Sequence, residues 1–331
     1  MRLMNTNMID ISVVIPAYNE APSLEELYRK LTAVLVRTGK SYELIFVNDG
    51  SSDDSLHIID KIVDIDPYVS AIHFRRNFGK AAALNAGFRI AKGNIVFTID
   101  ADLQDNPQEI PKFLRKIDDG NDMVTGWKEK RKDPLSKTIP SRLFNYVVSK
   151  CSGLKLNDYN CGFKAYRWFT LENLNLYGEL HRFIPMLLHC QGYSIAEVSV
   201  RHNERQYGHS KYGASRLLKG FLDLLTVLLM TRYIARPLHL FGGIGAVISG
   251  MGSLILFYLT TIWLVGIRPI GNRPLLFLGI LLVVVGIQFV STGLLGELIS
   301  HEQQAKSPNY IIRSVRHGRK QQNDQLPKIS K

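Results

Sequence analysis

The sequence predicts an α/β protein with a doubly wound, mostly parallel sheet, followed by interfacial helices and two transmembrane helices. Short β-branched, apolar runs alternate with helix-like segments over residues 11–126, which is typical of a parallel sheet covered by helices. Two long runs without any charged residue follow, at 241–265 and 274–295. Most of the excess positive charge lies in the last third of the chain.

The predicted strands are apolar on both faces, as a sheet covered on both sides requires. They are expected at 11–17, 43–49, 70–74, 94–100 and 122–126. The helix-like patterns between them lie at 22–37, 53–64, 79–91 and 107–118. We expect Ser51 or Ser52 to cap the second of these helices, because Asp53 and Asp54 then fall in its first turn.

Each uncharged run is long enough to cross a membrane, since a helix needs about 20 apolar residues to do so. Two spans return the chain to its starting side, so the N-terminal part and the basic tail share one face. The positive-inside rule makes that face cytoplasmic, although Arg268 and Arg273 lie in the opposite loop. No apolar run begins the chain, which predicts no cleavable signal peptide. We therefore expect an inner (plasma) membrane protein.

The distribution of charge along the chain indicates whether the basic part binds a membrane or nucleic acid. The formal net charge is +12, and residues 201–331 hold 16 Lys and Arg against 5 Asp and Glu. A basic end can bind nucleic acid or an anionic membrane. Because this excess flanks the two apolar runs, we expect a membrane and no nucleic acid. The three cysteines lack C-x-x-C spacing and are expected to be reduced. The sequence leaves a homo-oligomer open.

Polar side chains follow four predicted strands where each strand ends. In a doubly wound sheet, ligands bind outside the carboxyl ends of the strands, so these side chains predict a ligand site at one edge. They are Tyr18, Asn19, Glu20, Asn48, Asp49, Arg75, Arg76, Asn77, Asp100, Asp102, Gln104 and Asp105.

The D-x-D pair Asp100 and Asp102 is the strongest of these signals. Crowded carboxylates repel each other and raise their pKa values, and a divalent cation removes that conflict. Mg²⁺ or Mn²⁺ prefers oxygen ligands and commonly bridges carboxylates to substrate phosphates. The alternative is a turn or capping cluster before Pro107. A second D-x-D, at 64–66, ends a helical pattern and is expected to be a solvated turn.

Asp49 is expected to contact a nucleoside, because a carboxylate at a strand end can accept hydrogen bonds from a ribose or a base. An Asx turn is the alternative. The chain has no P-loop and no G-x-G-x-x-G after its first strand. Phosphates would therefore need a metal and basic side chains.

Four ordered motifs resemble the family-2 glycosyltransferases of GT-A fold. They are VVIPAYNE (13–20), VNDGSSDDS (47–55), RRNFGKAAALNAGF (75–88) and DADLQD (100–105). The similarity covers about residues 8–300. Its branch is that of the polyprenyl-phosphate glycosyltransferases, which include dolichol-phosphate mannose synthases and bacterial undecaprenyl-phosphate glucosyltransferases with two C-terminal membrane helices.

The resemblance implies inverting transfer of a sugar from a nucleotide to polyprenyl phosphate at the cytoplasmic membrane face, with Mg²⁺ or Mn²⁺. UDP-glucose and undecaprenyl phosphate are the preferred substrates. GDP-mannose and an aminoarabinose-type sugar are the alternatives. A processive polysaccharide synthase is disfavoured, since the Q-x-x-R-W element and further spans are absent from the sequence. A non-catalytic adaptor or nucleic-acid binder would leave the carboxylates unexplained.

The resemblance also implies roles for individual residues. The nucleotide sugar would contact Pro16, Ala17, Tyr18, Glu20, Asp49, Arg75, Lys80, Asp100 and Gln104. The metal would lie on Asp100 and Asp102, and catalysis would depend on Asp102 and Asp158. The acceptor phosphate would meet Arg201, Arg205, Ser210, Lys211 and Tyr212.

Asp158 is implied as the base near the acceptor, in the stretch NDYNCGFKAYR. An acceptor phosphate is already largely dianionic at neutral pH, its second pKa being about 6, so positioning is an alternative role for Asp158. A surface-loop carboxylate is a third. The expected parts are a catalytic GT-A domain at 1–212, an interfacial amphipathic helix at 213–236, two transmembrane helices at 237–300 and a basic cytoplasmic tail at 301–331.

Overall fold

The computed structural model divides into two compact units, residues 1–231 and 232–331. The structure describes residues 9–128, 148–149, 153–172, 174, 176, 178–201, 237–266 and 273–306, the last seven as backbone alone. The expected interfacial helix at 213–236 lies outside these residues, as does the tail beyond 306.

The first unit contains a seven-stranded sheet with the order β3-β2-β1-β4-β6-β5-β7. The strands are β1 (Ile11–Ala17), β2 (Tyr42–Asn48), β3 (Val69–His73), β4 (Ile95–Thr98), β5 (Met123–Trp127), β6 (Lys164–Arg167) and β7 (Ile195–Ser199). Strand β6 pairs antiparallel with β4 and β5, while the other pairings are parallel. The predicted mostly parallel sheet is confirmed, and β6 and β7 are additions to it.

Among the described residues of the first unit, five helices accompany the sheet. They are α1 (Ala21–Arg37), α2 (Ser55–Ile65), α3 (Lys80–Ile90), α4 (Ile110–Asp118), which a 3-10 turn at Pro107–Glu109 precedes, and α5 (Ile184–Cys190). The expected capping of α2 by Ser51 or Ser52 is wrong. That helix begins at Ser55 after Asp54, without a side-chain cap, because both serines bond to Asn19 instead.

The core lies on both faces of the sheet, because successive side chains of a strand point to opposite sides. On β1, Val13 and Ile15 pack with buried residues of α1 and α4. Val14, between them, packs with residues of α3 and α5 on the other face. Buried apolar layers on both faces fix the strand register, and with it the positions of the strand ends.

The second unit is a pair of apolar helices, α6 (Pro237–Leu264) and α7 (Pro274–Lys306). Glycines line their contact: a Cβ on Gly245 would lie 2.5 Å from the carbonyl oxygen of Gly286, and one on Gly252 2.7 Å from that of Gly279. Such small residues let membrane helices pack closely. The 237–264 and 274–299 segments are each long and apolar enough to span a membrane, and only 11% of the most apolar window of each is buried. This exposure is unlike that of a soluble core helix.

Candidate active site

The exits of β1 and β2 are tied together by side-chain hydrogen bonds. Asn19 has a φ of 53°, and its backbone N–H donates to Ser51 Oγ at 2.9 Å. Its Oδ1 in turn accepts from the backbone N–H of Ser52 at 2.8 Å. The backbone N–H of Glu20 donates to Ser55 Oγ at 3.1 Å. The predicted nucleotide-binding segment, which includes Pro16, Ala17, Tyr18 and Glu20, is thereby held beside the segment that follows β2.

Asp49 is buried, and its carboxylate organises the next loop. Oδ1 accepts from the backbone N–H of Phe78 at 2.7 Å and Oδ2 from that of Gly79 at 2.9 Å. Burial raises the pKa of Asp49, and these two hydrogen bonds oppose the rise. Because Gly79 precedes α3, Asp49 fixes the start of that helix. This contact was not predicted from the sequence.

The same loop approaches Gly50 so closely that no side chain fits there. Gly50 has a φ of 68°, and a Cβ on it would lie 2.3 Å from the carbonyl carbon of Arg76. This approach brings the segment with Arg75, which is exposed, to the exit of β2. The predicted donor residues from strands β1, β2 and β3 are therefore brought to one edge of the sheet.

Asp100 follows β4 and forms an ion pair with Lys80, the first residue of α3. Burial raises the pKa of Asp100. Attraction to Lys80, the hydrogen bond from Lys80 and attraction to Lys128 and Lys164 together outweigh burial and lower the pKa to about 2. Asp100 is therefore not an unpaired carboxylate, and Lys80 relieves part of the repulsion that was expected among the crowded aspartates. With 31% of its side chain exposed, Asp100 remains accessible.

Asp102 sits in a strained turn after Asp100. Leu103 is buried with a φ of 59°, an unusual conformation for a branched side chain that tends to occur at functional sites. The backbone N–H of Gln104 donates to Asp102 Oδ1 at 3.2 Å. Asp102 and Gln104 are both partly exposed. The turn thus holds the second carboxylate at the same edge as the first.

The carboxylates of Asp100 and Asp102 suit a magnesium or manganese ion whose other ligands come from a substrate and water. Asp100 lies in close contact with Gly162: a Cβ on Gly162 would lie 2.4 Å from Oδ2 of Asp100. Over the described ranges, no group of three His, Cys, Asp or Glu residues is placed to hold a metal. Two carboxylates with remaining positions filled by phosphate and water suit Mg²⁺ or Mn²⁺, which rarely uses an all-protein cage.

Asp158 is buried, with 1% of its surface exposed, so the surface-loop alternative is wrong. Its Oδ1 accepts from the backbone N–H of Asn160 at 3.0 Å. Its own backbone N–H donates to Glu197 Oε1 at 2.9 Å. The turn 157–160 leads into β6, which runs beside β4 and its aspartates. The sequence analysis missed Glu197.

Two lysines of this region were not predicted from the sequence: Lys128, which is half-buried, and Lys164, which is buried. Lys128 follows β5, and its Nζ lies 3.4 Å from Asp105 Oδ1. Burial lowers the pKa of Lys128, but attraction to several neighbouring acidic groups, that of Asp105 first, together outweighs burial and raises the pKa. Lys164 donates to the carbonyl of Cys161, and burial lowers its pKa to about 8. Lys128 comes directly after β5, so a search for polar residues at the ends of predicted strands would have found it. Lys164 begins β6, a strand that was not predicted.

Four of the five predicted acceptor residues lie outside the described residues. They are Arg205, Ser210, Lys211 and Tyr212. The fifth, Arg201, is exposed and lies just beyond the end of β7.

Comparison with known proteins gives the family. The model of the family described as glycosyl transferase family 2 matches residues 12–186. Dodecaprenyl-phosphate galacturonate synthase of Rhizobium johnstonii is 37% identical over 314 residues, covering 93% of each chain. An undecaprenyl-phosphate 4-deoxy-4-formamido-L-arabinose transferase of Shewanella sediminis is also 37% identical, covering 94% of each.

A solved structure shares the fold. Glucosyl-3-phosphoglycerate synthase from Mycobacterium tuberculosis, in complex with Mn²⁺, uridine diphosphate and phosphoglyceric acid, superposes with a TM-score of 0.52 at 20% identity. The match covers 67% of this chain and 78% of that one. The predicted GT-A fold is therefore confirmed.

Proposed function

The chain belongs to glycosyltransferase family 2, and on that premise we propose that it transfers a sugar from a nucleotide donor to a polyprenyl phosphate. The observation that supports this most is the edge of the sheet where Asp100 and Asp102 are held by β4. The relatives that match more than nine-tenths of the chain carry names of polyprenyl-phosphate transferases. The two long apolar helices suit an acceptor that resides in a membrane.

The proposed sugar is of the aminoarabinose type, carried by uridine diphosphate, with galacturonate as the second candidate. Both sugars come from the names of the relatives, and uridine diphosphate comes from the nucleotide bound in the structure that shares the fold. Glucose, which the sequence analysis preferred, has less support, because neither of these relatives is named for it. GDP-mannose remains an alternative with equally little support, because neither of these relatives is named for mannose.

In this proposal Asp100 and Asp102 hold Mg²⁺ or Mn²⁺, as the manganese in the related fold suggests. The cation, when bound, supplies positive charge to the departing diphosphate. Pro16, Ala17, Tyr18 and Glu20 then face the nucleoside with Asp49, while Arg75, Lys80 and Gln104 lie on the diphosphate side.

Asp158 orients the acceptor in this proposal. An acceptor phosphate oxygen forms a bond to the anomeric carbon while the bond from that carbon to the diphosphate breaks, with inversion. The acceptor needs little deprotonation, since its second pKa is about 6, so Asp158 acts chiefly by position. Arg201, Arg205, Ser210, Lys211 and Tyr212 are proposed to meet the acceptor phosphate.

The proposed location is the inner membrane, with the catalytic part on its cytoplasmic face. The proposed divisions are 1–212 for the catalytic domain, 213–236 for an interfacial helix, 237–300 for the spans and 301–331 for the tail. A protease-protection assay on sealed inverted vesicles tests the orientation. Cleavage of the tail without detergent is expected, and protection of the tail would contradict it.

A transfer assay tests the proposed activity. The purified full chain is given labelled UDP- and GDP-sugars and polyprenyl phosphate, with Mg²⁺, Mn²⁺ or a chelator. We expect metal-dependent transfer, lost in Asp102→Asn and Asp158→Asn while circular dichroism stays unchanged. Asp64→Asn is the matched control, because Asp64 is exposed in the other D-x-D pair. Transfer that survives both site substitutions or the chelator would refute the assigned roles.

A further inference from the structure

Glu197 ties the turn that presents Asp158 to the sheet. Its Oε2 accepts from Asn157 Nδ2 at 2.7 Å. Its Oε1 accepts from the backbone N–H groups of Asn157 at 3.0 Å and Asp158 at 2.9 Å. These donors lie 39 and 40 residues away in sequence, so one carboxylate joins two distant segments.

The carboxylate is held on a rigid element. Glu197 lies in the middle of β7, where it pairs with Thr125 of β5 in a parallel ladder. A group fixed on a strand positions its partners more accurately than one on a loop. The turn 157–160 has its own internal bond, from the backbone N–H of Asn160 to Asp158, but that bond sets only local shape.

The carboxylate is also partly removed from water. Burial raises the pKa of Glu197, and the hydrogen bonds from Asn157 and Asp158 oppose that rise. A partly buried carboxylate is costly unless hydrogen bonds compensate it, and charge-assisted bonds are the stronger kind. The turn and the carboxylate therefore stabilise each other's positions.

We propose that Glu197 is a positioning residue for sugar transfer, holding the 157–158 turn so that Asp158 faces the acceptor. This inference rests on the proposed function, in which Asp158 orients the acceptor. Without Glu197 the turn relaxes, while the donor residues at the ends of β1, β2 and β4 keep their places. A displacement of about 1 Å in a catalytic group can cost about 100-fold in rate. The effect falls on kcat rather than on donor binding.

Two sets of variants of the full-length enzyme test this. Glu197→Ala is expected to lower kcat about 100-fold, with the KM for nucleotide sugar and the affinity for UDP unchanged. Asn157→Asp, which faces two carboxylates toward each other, is expected to lower kcat as well. Adding Glu197→Gln to Asn157→Asp restores the side-chain hydrogen bond with its donor and acceptor exchanged. We expect kcat to recover about 10-fold relative to Asn157→Asp alone, which is within the usual range of pairwise coupling.

If Glu197 had a purely structural role, Glu197→Ala would instead lower the melting temperature and raise KM. The exchanged pair would then recover no kcat, and that result would overturn the proposal. So would unchanged kcat in Glu197→Ala. If Glu197→Ala does not fold, recovery or its absence in the exchanged pair decides. Failure of the wild-type enzyme to transfer any sugar overturns the proposed function and the positioning role with it. Wild-type transfer with an undiminished Glu197→Ala variant overturns the positioning role alone.

Discussion

Replacing Gly162 with alanine is expected to disable the enzyme without unfolding it. Gly162 lies against the carboxylate of Asp100, and a Cβ there would lie 2.4 Å from Oδ2 and 2.7 Å from Cγ. The φ of Gly162 is outside the left-handed region, so alanine adopts the same backbone without strain. The three atoms nearest to that Cβ all belong to the carboxyl group of Asp100, so the clash falls first on this side chain.

The size of the effect follows from the displacement. Ordinary contact begins at 3.4 Å, so the carboxylate must retreat by about 1 Å. A misplacement of that size costs about 100-fold in rate, which equals about 2.7 kcal/mol in the activation free energy. Because the side chain of Asp100 is 31% exposed, it can move toward solvent, and we expect the free energy of unfolding to change by less than about 1 kcal/mol.

The assay is the initial rate of sugar transfer against metal concentration, with thermal unfolding measured in parallel. Gly93→Ala is the matched control, since a Cβ on Gly93 would lie 2.4 Å from the backbone nitrogen of Ser12, which cannot retreat. We expect this control to lose stability while its folded fraction keeps the wild-type kcat. If Gly162→Ala keeps the wild-type rate and metal dependence, the position of Asp100 does not matter and the reasoning fails.

Two further predictions concern the thiols and a buried carboxylate. Burial raises the pKa of Cys161 to about 12, which leaves about one thiol in 10⁴ as the reactive thiolate at pH 8. Iodoacetamide should therefore modify the exposed Cys190 before Cys161, and equal labelling of these two by mass spectrometry would contradict this. Tyr28→Phe removes a 2.9 Å hydrogen bond to Asp66 and should lower stability by about 1–2 kcal/mol. Tyr68 is 59% exposed, so Tyr68→Phe should change the melting temperature little. An equal shift in both variants would refute the role of the Tyr28 hydrogen bond.

The strands that the sequence predicted are those whose signal is local. Strands β1 to β5 are apolar runs, and both ends of each strand lie within two residues of the predicted ends. Strand β6 was missed, because Lys164–Arg167 is four residues long with a charge at each end. Its place in the sheet depends on pairing with β4, which no local pattern reveals. Strand β7 is half-buried throughout and gives a similarly weak signal.

Buried polar groups were misjudged for the same reason. The pair at 64–66 was expected to be solvated, and Asp64 is indeed exposed. Asp66 is buried and accepts from the hydroxyl of Tyr28, 38 residues earlier. A carboxylate near a helix end looks solvated in sequence whenever its donor is distant, and Glu197 escaped notice in the same way.

The charges at the edge of the sheet explain why so many carboxylates can gather there. Carboxylates alone would need a cation to relieve their repulsion, but Asp100 is also paired with Lys80 and Asp105 with Lys128. These lysines come from separate elements, so no local motif shows the balance. The Lys80 pair is about one-third exposed on each side, and ion pairs exposed to that degree contribute little net free energy. In the proposed function, Lys80 can therefore exchange Asp100 for a substrate diphosphate at small cost. The Lys128–Asp105 pair is deeper, with 16% and 1% of its side chains exposed, and we expect it to stay in place.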